Sequence, residues 1–169
     1  MLFFMNNFNQ TIFDFSKDSD ISSWRVVDDV VMGGRSQGSF KLNENGNGLF
    51  SGEVSLENNG GFSSLRYRFK EMEVSSFTKV VLKIKGDGND YQFRIKDSYS
   101  NFYSFITTFK TSKEWELIEL NLSEMYPSFR GRKLAMDNFS SEIIQEIAIL
   151  IGNKKEQRFM LEIDEIYLK

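Results

Sequence analysis

The sequence predicts an all-β fold, and three observations predict it. Apolar and polar residues alternate with period two in run after run, Asn/Gly-rich turns separate the runs, and no long segment carries the 3.6-residue period of a helix. Roughly nine or ten short strands of this kind fit a β-sandwich or a barrel.

Each element follows from its own pattern. Ser39–Leu42 and Leu49–Leu56 flank Asn45-Gly46-Asn47-Gly48, residues that tolerate the positive φ of tight strand connections. Asn58-Asn59-Gly60-Gly61 then leads into Ser64–Phe69, where Leu65, Tyr67 and Phe69 alternate with Ser64, Arg66 and Arg68. In Lys79–Lys85, Val80, Leu82 and Ile84 share one face, with Lys83 and Lys85 on the other. Gly86-Asp87-Gly88-Asn89-Asp90 reads as a hairpin turn, lacking the spaced ligand order of a calcium loop. Tyr91–Lys96 sets Tyr91, Phe93 and Ile95 against Gln92, Arg94 and Lys96. Glu116–Leu122 places Ile118, Leu120 and Leu122 opposite Glu119 and Asn121. Ser140–Gln145 reads as one helical turn capped by Ser140 or Ser141. A final pair is expected from Glu146–Ile151 and Phe159–Leu168, joined by the polar loop Gly152–Gln157. With these parities Leu82, Ile84, Phe93, Ile95, Ile118 and Leu120 point inward together, because a one-residue slip would bury lysine and arginine.

Composition narrows the function. At 169 residues, with no repeat or linker tract, one domain over residues 1–169 is expected. There is no cysteine and no histidine. Disulfides, thiolate catalysis, serine–histidine triads and histidine-based acid–base chemistry are therefore excluded. The formal net charge of −3 argues against a nucleic-acid binder. No stretch is apolar enough for a bilayer span, and the opening MLFFMNNFNQ lacks the basic and hydrophobic regions of a secretory signal, so a cytoplasmic protein is expected.

The densest unusual stretch is Trp24-Arg25-Val26-Val27-Asp28-Asp29-Val30-Val31-Met32-Gly33-Gly34-Arg35-Ser36. Asp28 and Asp29 have the composition of an acid–base pair or a hard-cation site. Beside a glycine pair, the expected role is a loop tether, with Asp29 accepting backbone N–H bonds or pairing with Arg66. Met32-Gly33-Gly34 then reads as a close-packed turn with the methionine as gap-filler. Gly33, Gly34 and Ser36 do not make a phosphate cradle, since no Walker lysine follows and no helix begins there.

That stretch resembles the signature of the complex I intermediate-associated protein 30 family, with Asp28 where the family often has asparagine. Gly61-Phe62-Ser63-Ser64-Leu65-Arg66, Gly86-Asp87-Gly88 with Tyr91, Trp115, and Phe129-Arg130-Gly131-Arg132 resemble further family blocks in the same order, from about Phe13 to Ile166. The resemblance implies an antiparallel two-sheet jelly-roll sandwich of the galactose-binding-like kind. It also implies structural roles for Trp24, Asp29, Met32, Gly33, Gly34, Ser36, Gly61, Phe62, Gly86, Asp87, Gly88, Trp115, Arg130, Gly131 and Arg132, Arg130 being a candidate binding residue as well. In mitochondria the family name refers to assembly of respiratory complex I.

For binding, Arg66, Arg68, Lys83, Lys85, Arg94 and Lys96 fall on the polar side of the alternation in three strands; if those strands share a sheet they form one basic face that includes Gln92. Such a face is either an ordinary solvated surface or a docking surface for an acidic or hydroxyl-rich partner. Of the aromatic run Tyr99, Phe102, Tyr103, Phe105 and Phe109, only Tyr99 and Tyr103 are expected to be partly exposed. Arg130 and Arg132 are expected in a loop. The functional expectation is a non-catalytic, protein-binding or assembly-factor-like module without metal or cofactor. The alternative is a carbohydrate-binding module.

Overall fold

The computed structural model describes residues 8–169. The opening run considered above as a secretory signal lies mostly at residues 1–7, outside the described residues. Thirteen strands follow one another: β1 (Gln10–Asp14), β2 (Trp24–Asp28), β3 (Gln37–Leu42), β4 (Gly48–Val54), β5 (Ser63–Glu73), β6 (Lys79–Lys85) and β7 (Asp90–Lys96). They continue with β8 (Ser104–Lys110), β9 (Trp115–Asn121), β10 (Tyr126–Phe129), β11 (Arg132–Lys133), β12 (Ile143–Ile151) and β13 (Gln157–Leu168). Among the described residues the helical content consists of short 3-10 turns at Asp29–Met32, Glu57–Asn59 and Leu122–Glu124.

The strands form two antiparallel sheets. A six-stranded sheet runs β3-β4-β13-β6-β9, with β1 also paired to β13; a seven-stranded sheet runs β11-β10-β8-β7-β12-β5-β2. Apolar residues of one parity from each sheet meet between them. Leu82, Ile84, Phe93, Ile95 and Leu120 are buried as expected, and Ile118 packs half-buried against them. Trp24 stacks on Tyr67 at 4.7 Å between ring centroids, tying β2 to β5. The result is an all-β jelly-roll sandwich.

Four expectations change. Ser140–Gln145 is not helical: its second half already belongs to β12, where Ile144 is buried against the core. Strand β4 stops at Val54 rather than Leu56, because Ser55 N–H turns to bond the Ser36 hydroxyl at 2.9 Å. Gly86-Asp87-Gly88 is not a hairpin, because β6 and β7 lie in different sheets. The segment crosses the sandwich, and one Asp87 carboxylate oxygen accepts from the Tyr91 hydroxyl of β7 (3.0 Å) and the Met160 N–H of β13 (2.7 Å). Lys83 and Lys85 accordingly sit on the six-stranded sheet, away from Arg66 and Arg94, with Lys83 ion-paired to Asp164 at 2.8 Å.

Candidate functional site: the outer face of the seven-stranded sheet

Strand β12 lies between β5 and β7, and its outward positions are in register with both. Arg68, Glu146 and Lys96 form one cross-strand row; Arg66, Ala148 and Arg94 form the next; Ser64, Leu150 and Gln92 form the third. The middle row extends to Arg25 on β2 and to Ile106 and Tyr126 on β8 and β10. The five expected face residues Arg66, Arg68, Gln92, Arg94 and Lys96 therefore do share one face, but β5 and β7 are not neighbours. The strand between them brings Glu146, which sequence reasoning missed.

Hydrogen bonds hold the cationic heads in place. Arg68 Nε donates to Glu146 at 2.6 Å, and its guanidinium lies 5.5 Å from the Tyr99 ring centroid. Arg94 donates from Nε and Nη2 to Gln92 Oε1 at 3.1 and 2.7 Å, Arg66 Nε donates to Ser64 Oγ at 3.3 Å, and Lys96 Nζ donates to the Asn101 carbonyl at 2.5 Å. Glu146 is 3% exposed.

Burial first, and neighbouring charges after it, set the electrostatics of this face. Burial, then repulsion from Arg66, brings the Arg94 pKa down to about 10, so it stays charged at neutral pH. Burial also lowers Lys96 and Arg66; in both, the attraction of Glu146 opposes the shift and neighbouring cations add to it. Fixed, partly desolvated donors of this kind recognise carboxylates, phosphates and hydroxyls.

The remaining candidate binding residues lie at the edge of this face or off it. Tyr99 is exposed in the β7–β8 connection, whereas Tyr103 packs half-buried against the core. Phe102, expected to be buried, is 64% exposed and packs edge-on against Phe129 at 5.1 Å, joining that connection to the β10–β11 turn. There Arg130 adopts φ 49° and its guanidinium lies over Phe129 at 5.2 Å; Gly131 completes the turn and Arg132 already belongs to β11. Trp115 is exposed at the start of the edge strand β9.

The Trp24–Ser36 stretch forms a pinned turn. Buried Asp29 accepts from Ser36 N–H (2.9 Å), Ser36 Oγ–H (2.5 Å), Gly61 N–H (2.6 Å) and Phe62 N–H (3.2 Å). Burial pushes its carboxyl pKa up, but these four hydrogen bonds outweigh that and hold it below the ordinary range. Arg66 is not its partner, because Arg66 has the outward parity. Ser36 is fully engaged with Asp29, which leaves no phosphate cradle. Asp28 is a second tether, accepting from Gly38 N–H and Ser63 Oγ. Gly34 abuts the Asp29 carboxylate where a Cβ would collide, and Gly33 takes φ +88°. Met32 does not fill a gap: it is 59% exposed, beside exposed Val30 and Val31. Among the described residues no cluster of acidic side chains suited to a metal ion occurs, and no helix is long and apolar enough to cross a membrane.

Known structures place this architecture among carbohydrate-binding modules. A family 11 carbohydrate-binding module from Clostridium thermocellum, in complex with a β-1,3-1,4-mixed-linked tetrasaccharide, superposes with a TM-score of 0.70 at 18% identity, covering 95% of this chain and 94% of that one. A family 29 module superposes with a TM-score of 0.55 at 10% identity, covering 96% of this chain and 91% of that one. These likenesses establish the fold. In sequence, mitochondrial complex I intermediate-associated protein 30 of Drosophila melanogaster is 23% identical over 154 residues, covering 78% of this chain and 52% of that protein. Its mouse counterpart is 23% identical over 185 residues, covering 93% of this chain and 55% of that protein. The chain thus spans about half the length of the curated relatives it matches. The family model described as complex I intermediate-associated protein 30 matches residues 13–163, and the chain belongs to that family.

Proposed function

We propose that this chain is a non-catalytic, assembly-factor-like module that docks an acidic protein partner on the outer face of its seven-stranded sheet. The observation that carries this reading is the registered grid in which Arg25, Arg66, Arg68, Arg94 and Lys96 surround one carboxylate, Glu146, with Asp90 at the start of β7. The mitochondrial relatives named for complex I support a protein partner rather than a substrate. Paired charges at such a face give modest, salt-sensitive affinity, because exposed charges are screened beyond about 8 Å at physiological ionic strength. The test is affinity capture from native extract at low and high salt, with partners identified by mass spectrometry. The Arg94→Glu, Lys96→Glu double variant should remain folded and lose the salt-sensitive acidic partners; unchanged capture overturns the reading. A cytoplasmic location, expected from the sequence, belongs to the same proposal, and cell fractionation distinguishes it from the mitochondrial location in the relatives' names.

One observation favours a carbohydrate instead: exposed Tyr99 and Phe102 border a face rich in fixed donors, on a fold shared with carbohydrate-binding modules. A glycan array on the purified protein decides, since specific glycan capture without salt-sensitive protein capture replaces the first reading by the second.

A further inference from the structure

We infer that the row Arg66–Ala148–Arg94 is a seat for one oxyanion, a carboxylate or phosphate group, held between the two guanidiniums above the alanine. The register sets this arrangement: Ala148 faces Arg66 on one side and Arg94 on the other. Adjacent strands lie about 4.8 Å apart, so the two arginine backbones are separated by roughly twice that distance. The central residue ends at its Cβ and is 4% exposed, covered by its longer neighbours. Leu150, next on the same face of β12, continues an apolar floor.

The two arginines are also held for a ligand they do not yet have. Each is tied to the residue two positions before it on its own strand, Arg66 to Ser64 and Arg94 to Gln92, both neutral acceptors. Neither belongs to an ion pair among the described residues, and residues 1–7 contain no aspartate or glutamate. Of the carboxylates on the face, Glu146 is bound by Arg68 in the neighbouring row, and Asp90 lies at the start of β7, four residues before Arg94. Half-buried cations normally sit beside a counter-charge, since desolvating them without one is costly. Here burial, and after it repulsion from Arg66, lowers the pKa of Arg94. Guanidiniums suit oxyanions because their planar N–H edges match two oxygens at once, and with its Nε–Nη2 edge turned to Gln92, Arg94 keeps its remaining N–H donors for a ligand.

The inference deepens the proposed function and rests on it for the biological source of the anion, a partner's aspartate or glutamate. The seat itself is tested with small anions. The purified protein is titrated with sodium phosphate and, separately, sodium acetate, with sodium chloride keeping ionic strength constant. The Nε–H signals of all arginines are followed by NMR, together with the melting temperature. Arg66 and Arg94 signals should shift saturably while exposed Arg35 and Arg158 stay still, and the melting temperature should rise above that in chloride. Arg94→Gln should weaken the apparent affinity at least fivefold. Ala148→Glu places a carboxylate in the seat, so this variant should melt higher than the parent and lose its response to phosphate.

Equal shifts at every arginine, or an unchanged response in Arg94→Gln, overturn the seat. Anion binding at the pair without capture of any acidic partner keeps the seat and removes the assembly reading. Partner capture that survives Arg66→Gln and Arg94→Gln, with no small-anion binding in the parent, removes the seat and keeps the docking face.

Discussion

Ser36 grips both oxygens of the Asp29 carboxylate, its backbone N–H donating to one at 2.9 Å and its hydroxyl to the other at 2.5 Å. The same hydroxyl accepts from Ser55 N–H, and Asp29 accepts from Gly61 and Phe62 N–H, so one buried carboxylate gathers three separate chain segments. Asp29→Ala strands these donors away from water, and each unsatisfied buried group costs about 1–3 kcal/mol. The expected loss in urea unfolding is about 3 kcal/mol; a loss below about 1 kcal/mol, the scale of a surface change, would contradict the tether.

Acid should act through the same carboxylate. Its pKa lies below its ordinary 3.8 in the folded chain, so it favours folding above that value and loses the contribution as pH falls through the folded pKa. The parent should therefore exceed Asp29→Asn in stability by most near neutrality, with the gap narrowing below about pH 4. Urea midpoints of both proteins at pH 7, 4 and 3 check the sign, and a gap that widens on acidification refutes it.

Phe93 and Phe102 should behave oppositely. Phe93 is fully buried on β7, and its truncation to alanine should cost about 3–5 kcal/mol. Phe102→Ala removes an exposed ring and should stay within about 1 kcal/mol of the parent. Chemical denaturation of the pair measures the contrast directly.

Asp87 joins the sheets through Tyr91 and Met160, so Asp87→Ala should cost about 2–3 kcal/mol from its lost charge-assisted bonds. Hydrogen exchange should quicken at the Met160 amide in particular. Unchanged exchange there would show that the link carries no strain between sheets.

Glu146→Gln leaves Arg68 with a neutral amide in place of its 2.6 Å carboxylate partner and the neighbouring cations without their counter-charge. Stability should fall by about 1.5–3 kcal/mol, the usual worth of a bond to a charged group. Added sodium chloride should raise the variant's melting temperature more steeply than the parent's, because screening then relieves repulsion. Parallel salt slopes would argue that Glu146 is not the balancing charge.

Alternation told which side of a strand is wet but not which sheet the strand joins. That is why Leu82 and Phe93 could be placed in one core from sequence, while Lys83 was grouped with Arg94 although they lie on different sheets. Strand β12 shows a second limit. Its Ile144–Ile151 stretch is almost wholly buried, since Ala148 and Leu150 on the outward side are shielded as well as Ile147 and Ile149 on the inward side. A nearly continuous apolar run hides its parity, so the middle column of the basic grid was not legible. The motif Trp24–Ser36 was recognisable by residue type, but the acceptor geometry of Asp29 depends on Gly61 and Phe62, more than thirty residues away.

The thirteenth strand lies at the centre of its sheet, with β4 and β1 bonded along one edge and β6 along the other. During synthesis from the N-terminus, those three strands emerge long before the one that unites them. Until Gln157–Leu168 has left the ribosome, half of the sandwich core has no lid and the edges of β4 and β6 stand open to foreign strands. A sandwich built this way closes only once its last strand has emerged, and the chain should depend on holding chaperones until then.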